Sequence, residues 1–232
     1  MKSALAIFAH PDDAELTCFG TLALLRSLGY GVVVAIVTDG LAAVNNNGTY
    51  NRLEEAAESS ALMGFRLIRA GLPDGDLHFG NTLIKEVERW FAEIEPAVVI
   101  THYLDPEHVD HQDHFVVAHA VLNVAQRMAK FDLLLEAEPS RGSRSFAPNL
   151  FVNVARFAAE KSAAIACYRS QTHKHYFTPA HLELRSRWWA EASGAGEICG
   201  NEEGVAIEAF RIVRSSLLGE GAAFGFRRCE PG

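Results

Sequence analysis

Residues 3–15 read SALAIFAHPDDAE, and this stretch decides the fold. The first part, 3–10, is almost entirely apolar, which is typical of a strand buried on both faces of a parallel sheet. Acidic residues follow at once. Apolar residues then recur at helical spacing over 13–28, up to a glycine at position 29 that can end a helix. A buried strand, a polar turn and a helix in this order predict the first βα unit of a larger fold.

The same unit repeats along the chain. Further buried strands are predicted over 31–40, 65–72 and 97–104, and helices over 50–63, 82–94 and 111–130. Because parallel strands need a crossover between them, this alternation predicts a Rossmann-like α/β fold, with a mostly parallel sheet covered by helices on both faces. After residue 131 the pattern is less regular, with possible strands over 133–136 and 150–154, a helix over 158–168, and a strand or short helix over 207–210.

We expect a single catalytic domain over residues 1–232. This length suits one well-buried core, and the sequence contains no internal repeat and no linker-like tract. A Rossmann-like core is expected over about 1–155. The irregular C-terminal part, about 156–232, is expected to complete a pocket.

Composition argues against several classes of function. The net charge is −8 and the charges are interspersed, whereas nucleic-acid-binding proteins carry a basic face. No apolar run reaches the ~18 residues of a spanning helix, and the apolar start meets acids at once, unlike a signal peptide. Four widely spaced cysteines suggest reduced thiols, namely Cys18, Cys167, Cys199 and Cys229. We expect a cytoplasmic protein with no nucleic-acid or membrane partner, while composition says nothing about a small-molecule substrate; a homo-oligomer is compatible with the sequence.

Two polar clusters follow predicted strands. HPDDAE (10–15) comes after the first strand, and HVDH (108–111) after the fourth. Ligands of open parallel sheets bind beyond the carboxyl ends of the strands, so both clusters are expected at one edge of the sheet. Adjacent carboxylates repel each other unless a positive charge lies among them, and two histidines with one carboxylate are the donors of a catalytic zinc. The alternative is that the acids cap a helix and the histidines are solvated.

Together these clusters resemble the signatures of the PIG-L/LmbE-like de-N-acetylase family, AHPDD(x)E and HxDH. The resemblance extends to Arg52 and Glu55 before a helix that ends in Met63-Gly64. It also covers LPDGDL (72–77), KSAAIACYRSQ (161–171) and EAFRIVR (208–214), and therefore most of the chain up to about residue 214. This sequence departs from many members at Val109, where they have proline, and at Ala14, where they have glutamate.

The resemblance implies a Rossmann-like fold and hydrolysis of an N-acetyl group, usually on an N-acetylglucosamine unit. It implies Zn2+ as the cofactor, with Fe2+ possible in cells, since the same donors suit both ions. The implied metal ligands are His10, Asp13 and His111. The implied catalytic residues are Asp12 as general base, His108 as acid or oxyanion stabiliser, and Asp110, which orients His108. The implied substrate contacts are Arg52 and Asp74, to which we add His114.

Several residues keep a second interpretation. Arg52 could instead pair with Glu54 or Glu55 along its helix, and Asp74 could be only a turn residue. His114 could line the pocket or be an exposed helix residue. No role is assigned to Glu15, His173, His175, Trp188 and Trp189.

Other functions also fit the motifs in part. One is a deacylase of a non-sugar amide, such as a secondary-metabolite intermediate. Another is a non-catalytic, metal-dependent module that binds amino sugars, although such a module would not need Asp12 and His108. A dinucleotide-dependent enzyme is disfavoured, because neither GxGxxG nor a P-loop motif occurs.

Overall fold

The computed structural model describes residues 1–42, 50–107, 110–128, 130–194 and 204–216. Its strands are β1 (Ser3–Phe8), β2 (Gly31–Thr38), β3 (Arg66–Leu72), β4 (Val98–His102), β5 (Leu133–Ala137), β6 (Leu150–Asn153) and β7 (Ile207–Ser215). Its α-helices are α1 (Asp13–Thr17), α2 (Phe19–Ser27), α3 (Arg52–Leu62), α4 (Asn81–Ile94), α5 (Gln112–Arg127), α6 (Ala158–Ala166) and α7 (Pro179–Ala192).

The strands form one sheet in the order β3-β2-β1-β4-β5-β7-β6. The first five strands of the chain are parallel, and β7 lies antiparallel between β5 and β6. The strand order reverses at the boundary between β1 and β4, which is where ligands bind in open α/β sheets. The predicted Rossmann-like α/β fold is therefore confirmed.

Both faces of the central strands β1 and β4 are buried, as their unbroken apolar sequences predict. Alternate residues of β1 point to opposite faces, because side chains along a strand have a period of two. Ala4, Ala6 and Phe8 pack with residues of α2, α3 and α6. Leu5 and Ile7 pack on the other face, with residues of α4 and α5.

Three elements differ from the sequence prediction. The helix predicted over 13–28 divides at Cys18 into α1 and α2. Helix α7 was not anticipated. Strand β7 extends to Ser215 and enters the core sheet, so the segment beyond 155 supplies a strand as well as cavity wall.

Glu208 of β7 explains how the break at Cys18 is stabilised. Its carboxylate accepts the backbone N–H groups of Gly20 and Thr21, at 2.9 and 2.7 Å, and the Thr21 hydroxyl at 2.6 Å. These N–H groups lie in the first turn of α2, where helical backbone has no internal acceptor. The cap comes from residues far away in sequence, which is why local periodicity did not reveal it.

The two described cysteines, Cys18 and Cys167, are buried free thiols. Cys199 and Cys229 lie outside the described residues. Across the described ranges, no helix has both the length and the apolar character needed to cross a membrane.

Candidate metal centre

A cavity of about 440 Å3 opens at the carboxyl ends of β1 and β4. Its lining includes all of the predicted site residues except one, namely His10, Asp12, Asp13, Arg52, Asp74, Asp110, His111 and His114. The exception is His108, which lies outside the described residues. The turns after β1 and β3 and the start of α5 thus meet at one place.

The His10 imidazole is at the centre of the cluster and is buried. Its Nε2 lies 3.1 Å from Oδ1 of Asp74 and 3.2 Å from Oδ2 of Asp113. Its Nδ1 lies 3.1 Å from Nε2 of His114. The backbone N–H of His10 donates to Oδ2 of Asp13 at 2.7 Å, which fixes that carboxylate against the imidazole.

His114 is buried and joins two carboxylates, so it is not an exposed helix residue. Its Nε2 lies 3.3 Å from Oδ1 of Asp13, and its Nδ1 lies 2.8 Å from Oδ2 of Asp110. A carboxylate on one ring nitrogen is the usual support of a metal-bound histidine. The described contact of Asp110 is thus with His114; its predicted partner His108 is outside the described residues.

His111 is more exposed and caps the N-terminus of helix α5. Its Nδ1 accepts the backbone N–H of Asp113 at 3.2 Å, and its ring centroid lies 4.6 Å from that of His10. The described donor atoms form two sets, each lying within 4.8 Å of one another. One set is His10, Asp13 and His114, and the other is His10, His111 and Asp113. The predicted trio of His10, Asp13 and His111 draws on both sets.

The charges of the cluster favour a cation. Burial lowers the pKa of His114, but Asp13 and Asp110 outweigh burial and raise it to about 9. Burial likewise opposes the charge of His10, and carboxylates led by Asp113 still hold its pKa well above the usual value. The carboxylates thus require positive charge between them, which either protons or a divalent ion provides. Imidazole nitrogens with carboxylate oxygens are donors that suit zinc or iron.

Asp12 has a left-handed backbone, with φ 108, which is unusual for a residue other than glycine. Its side chain is buried, and Oδ2 accepts from Nη2 of Arg52 at 2.9 Å. Burial raises the pKa of Asp12, and the charge of Arg52 only partly offsets this. The carboxylate of Asp12 is buried beside the donor set, so it can accept a proton more readily than an exposed carboxylate.

The Arg52 side chain contacts residues of the site and not the acidic side chains of its own helix. Besides Asp12, its guanidinium donates to the carbonyl oxygens of Pro11 (2.8 Å) and Gly40 (3.3 Å). Its Nη1 lies 3.8 Å from Oδ2 of Asp74. The alternative pairing of Arg52 with Glu54 or Glu55 is not seen, and Asp74 is more than a turn residue.

Sequence reasoning missed Asp113 and His102. Asp113 is fully buried and accepts the Gly75 N–H at 2.7 Å, which ties the PDGD turn to α5. His102 accepts the Ala9 N–H through Nε2 at 2.9 Å; burial, then the charge of His114, lowers its pKa to about 4. Asp113 could have been found from its position two residues after His111. His102 ends β4 and reads as part of an apolar run.

Buried acids connect the segments that resemble family motifs. Glu15 accepts from the hydroxyls of Ser59 and Tyr168 at 2.9 and 2.7 Å. Glu55 accepts the backbone N–H of Ser170 at 3.0 Å and its hydroxyl at 2.5 Å. These contacts pack α1, α3 and the segment after α6 together behind the cavity.

Four further residues to which the sequence assigns no role differ in whether they line the cavity. Within the described residues, His173 lines the cavity, whereas His175, Trp188 and Trp189 do not. Trp189 packs against Phe146 and Phe151, and Trp188 is exposed.

Two curated proteins are similar to this chain in sequence. The uncharacterised deacetylase YaiS of Escherichia coli (strain K12) is 29% identical over 174 residues, covering 73% of this chain and 91% of that protein. Diacetylchitobiose deacetylase of Thermococcus kodakarensis is 26% identical over 190 residues, covering 74% of this chain and 70% of that protein.

A solved structure has the same fold but another activity. GalB, the 4-carboxy-2-hydroxymuconate hydratase of Pseudomonas putida KT2440, superposes with a TM-score of 0.78 at 19% identity, over 95% of this chain and 99% of that one. This likeness shows the fold alone.

The sequence relatives are named deacetylases, and the family model of GlcNAc-PI de-N-acetylase, PIG-L, matches residues 5–125, just over half of the chain. Members of that family are de-N-acetylases, which are hydrolases. With this match and the cluster after β1, the chain belongs to the PIG-L family.

Proposed function

We propose that this chain hydrolyses the N-acetyl group of an N-acetylglucosamine-type amino sugar or its conjugate, with zinc as the cofactor. One observation carries the proposal. A strained, buried carboxylate, Asp12, lines the same cavity as the donor set of His10, Asp13 and His114. That combination provides a base beside a metal site, which amide hydrolysis requires.

His10 and Asp13 would hold the ion, together with His111 and His114 from α5. These donors would accept Fe2+ as well as Zn2+. When bound, the ion supplies polarisation of the scissile carbonyl and a more acidic water molecule.

Asp12 is the base in this proposal. Arg52 engages its Oδ2, and the contacts of the described residues leave Oδ1 for a water proton. Because burial raises its pKa, Asp12 binds that proton more tightly than an exposed carboxylate would. The three acceptors of Arg52 keep the guanidinium, and with it the carboxylate, in one orientation.

The leaving amine needs a proton, and His108 is the proposed donor. It would also stabilise the negative charge that develops on the carbonyl oxygen. Asp110 remains its proposed orienting partner, in addition to the contact with His114. The products are acetate and a free amino sugar.

The sugar assignment rests on the cavity and on a relative. A cavity of about 440 Å3 has room for a small saccharide, and one relative is named a diacetylchitobiose deacetylase. Arg52 and Asp74, which line the cavity, are the proposed contacts to sugar hydroxyls, and His114 lies beside Asp13. A deacylase of a non-sugar amide is the alternative.

The test couples metal analysis to amine release from a panel of N-acetyl sugars and non-sugar amides. Asp12→Asn should keep the metal and lose at least about a thousandfold in kcat, because it removes the base. Asp76→Asn, an exposed acid of the PDGD turn, is the matched control and should act as wild type. An active Asp12→Asn protein contradicts the mechanism, and amine released only from non-sugar amides favours the alternative.

A further inference from the structure

Two cationic side chains from segments that follow β5 line the cavity. They are Lys174 and Arg141. The Arg141 Cζ lies 5.3 Å from the ring centroid of Tyr176, and the Lys174 Nζ lies 5.5 Å from the same centroid. Tyr176 itself is buried in the core. Two positive side chains therefore share one aromatic ring.

Neither cation has a carboxylate partner among the residues that the structure describes. Four other cations that follow β5 are in ion pairs: Lys161 with Glu208, Arg169 with Glu58, Arg185 with Glu138, and Arg187 with Glu183. Both cations line the same cavity as Asp12, so an anion bound there is attracted by each of them. The wall is thus electrostatically suited to an anionic ligand.

The backbone beneath both cations is held in place. Arg141 lies in a turn closed by the Gly142 N–H on the carbonyl of Pro139, at 2.8 Å. Arg185 of α7 donates to the carbonyls of Pro139 and Ser140 and anchors that turn. On the other side, the N–H of Lys174 donates to the carbonyl of Gln171 at 3.0 Å. A preorganised pair loses less entropy when it binds a ligand.

We propose that Lys174 and Arg141 form an anion subsite, and that the substrate is an N-acetylated sugar bearing a carboxylate or a phosphate. This inference rests on the proposed function, because it names the substrate class of that site. The rest of the cavity lining includes Asp12 and the donor set of His10, Asp13 and His114, where the reacting acetamido group must bind. The substrate therefore binds with its acetamido group toward His10 and its anionic group toward Lys174 and Arg141.

A different role for Lys174 is to support the charge of Asp12, whose pKa it helps to lower. The two roles predict different kinetics. Support of Asp12 would affect every substrate equally, whereas an anion subsite affects only the anionic ones.

The experiment compares three substrates with the metal-loaded protein: N-acetylglucosamine, its 6-phosphate, and N-acetylmuramic acid, which carries a carboxylate. Wild type should prefer at least one anionic substrate by about tenfold or more in kcat/KM. Lys174→Gln and Arg141→Gln should each lower the ratio of that kcat/KM to the kcat/KM for N-acetylglucosamine about tenfold. Arg141→Lys should restore part of the loss. The control is Lys85→Gln, an exposed cation of α4 outside the cavity lining, which should change nothing.

Binding of the deacetylated compounds, measured by calorimetry, separates this inference from the proposed function. Glucosamine 6-phosphate or muramic acid should bind more tightly than glucosamine, and the double variant should lose the difference. That result supports the subsite even if no substrate is deacetylated. The relative strength of the two ligands tells phosphate from carboxylate. Equal binding of charged and neutral ligands, or equal losses for all substrates in Lys174→Gln, overturns the subsite.

Discussion

The Arg52 guanidinium lies 2.9 Å from Oδ2 of Asp12, and both side chains are almost completely buried. The same guanidinium donates to the backbone carbonyls of Pro11 and Gly40. Asp12 therefore has its charge compensated and its orientation fixed by one side chain from a different helix. The left-handed backbone of Asp12 is thus stabilised by a contact that is 40 residues distant in sequence.

Replacing Arg52 should change the activity through Asp12. Because Arg52 lowers the pKa of Asp12, Arg52→Gln should raise that pKa and move the acidic limb of kcat/KM to higher pH. Arg52→Lys keeps the charge but not the planar fork, so it should lower kcat by about 100-fold through misplacement with a smaller shift of the limb. The pH profile of metal-loaded protein checks both. An unchanged limb in Arg52→Gln would show that the contact is only structural.

His114 should contribute to metal affinity in addition to His111. Its Nε2 lies beside both Asp13 and His10, and Asp110 supports its other nitrogen. We expect His111→Ala to lose the metal, and His114→Ala to bind it at least about 10- to 100-fold more weakly, since loss of a ligand's support alone has an effect of that size.

The measurement is a zinc titration against a competing chelator. His119→Ala is the control, because His119 lies on the same helix but stacks on Phe79, outside the cavity lining described. An unchanged zinc affinity in His114→Ala would mean that His114 contacts the substrate or packs against its neighbours, and does not bind the metal.

The sequence predicts well the part of the site that follows β1. It predicts poorly the cavity wall that carries Arg141 and Lys174. Strand β1 and the acids after it are contiguous, so burial and charge can be read together. His114 follows His111 by three residues, which places both on one face of a helix. Arg141 and Lys174 meet only at Tyr176, after distant segments have folded together. Helix α7 was missed because its apolar residues do not form one face, although Thr178 and Pro179 mark its start.

Glu15 makes the stability of the metal-free protein depend on pH. Burial raises its pKa from 4.5 to about 7, so the folded state binds a proton more tightly than the unfolded one. The resulting stabilisation is complete below pH 4.5 and is lost as pH rises through 7. Glu15→Gln keeps an acceptor for Tyr168 and Ser59 and should remove this dependence.

Between pH 5 and 8, the free energy of unfolding of wild type should fall relative to Glu15→Gln by up to about 3 kcal/mol, since a tenfold difference in proton affinity is worth about 1.4 kcal/mol. Urea unfolding with a chelator present measures it. Glu191→Gln, an exposed acid of α7, should keep the wild-type slope. Parallel curves for wild type and Glu15→Gln would show that Glu15 is not the group responsible.

Removing the Glu208 carboxylate should be among the most destabilising changes outside the cavity. Glu208 caps α2 and pairs with Lys161 at 2.6 Å, with both side chains largely buried. Glu208→Gln leaves the Lys161 ammonium without its counter-charge, so we expect a loss of about 3–5 kcal/mol in urea unfolding. Glu183→Gln breaks the exposed pair with Arg187 and should cost less than about 1 kcal/mol. Adding Lys161→Met to Glu208→Gln should recover part of the loss, because no buried charge is then left alone. Equal stabilities of the single and double variants would mean that capping of α2, and not the ion pair, accounts for the effect.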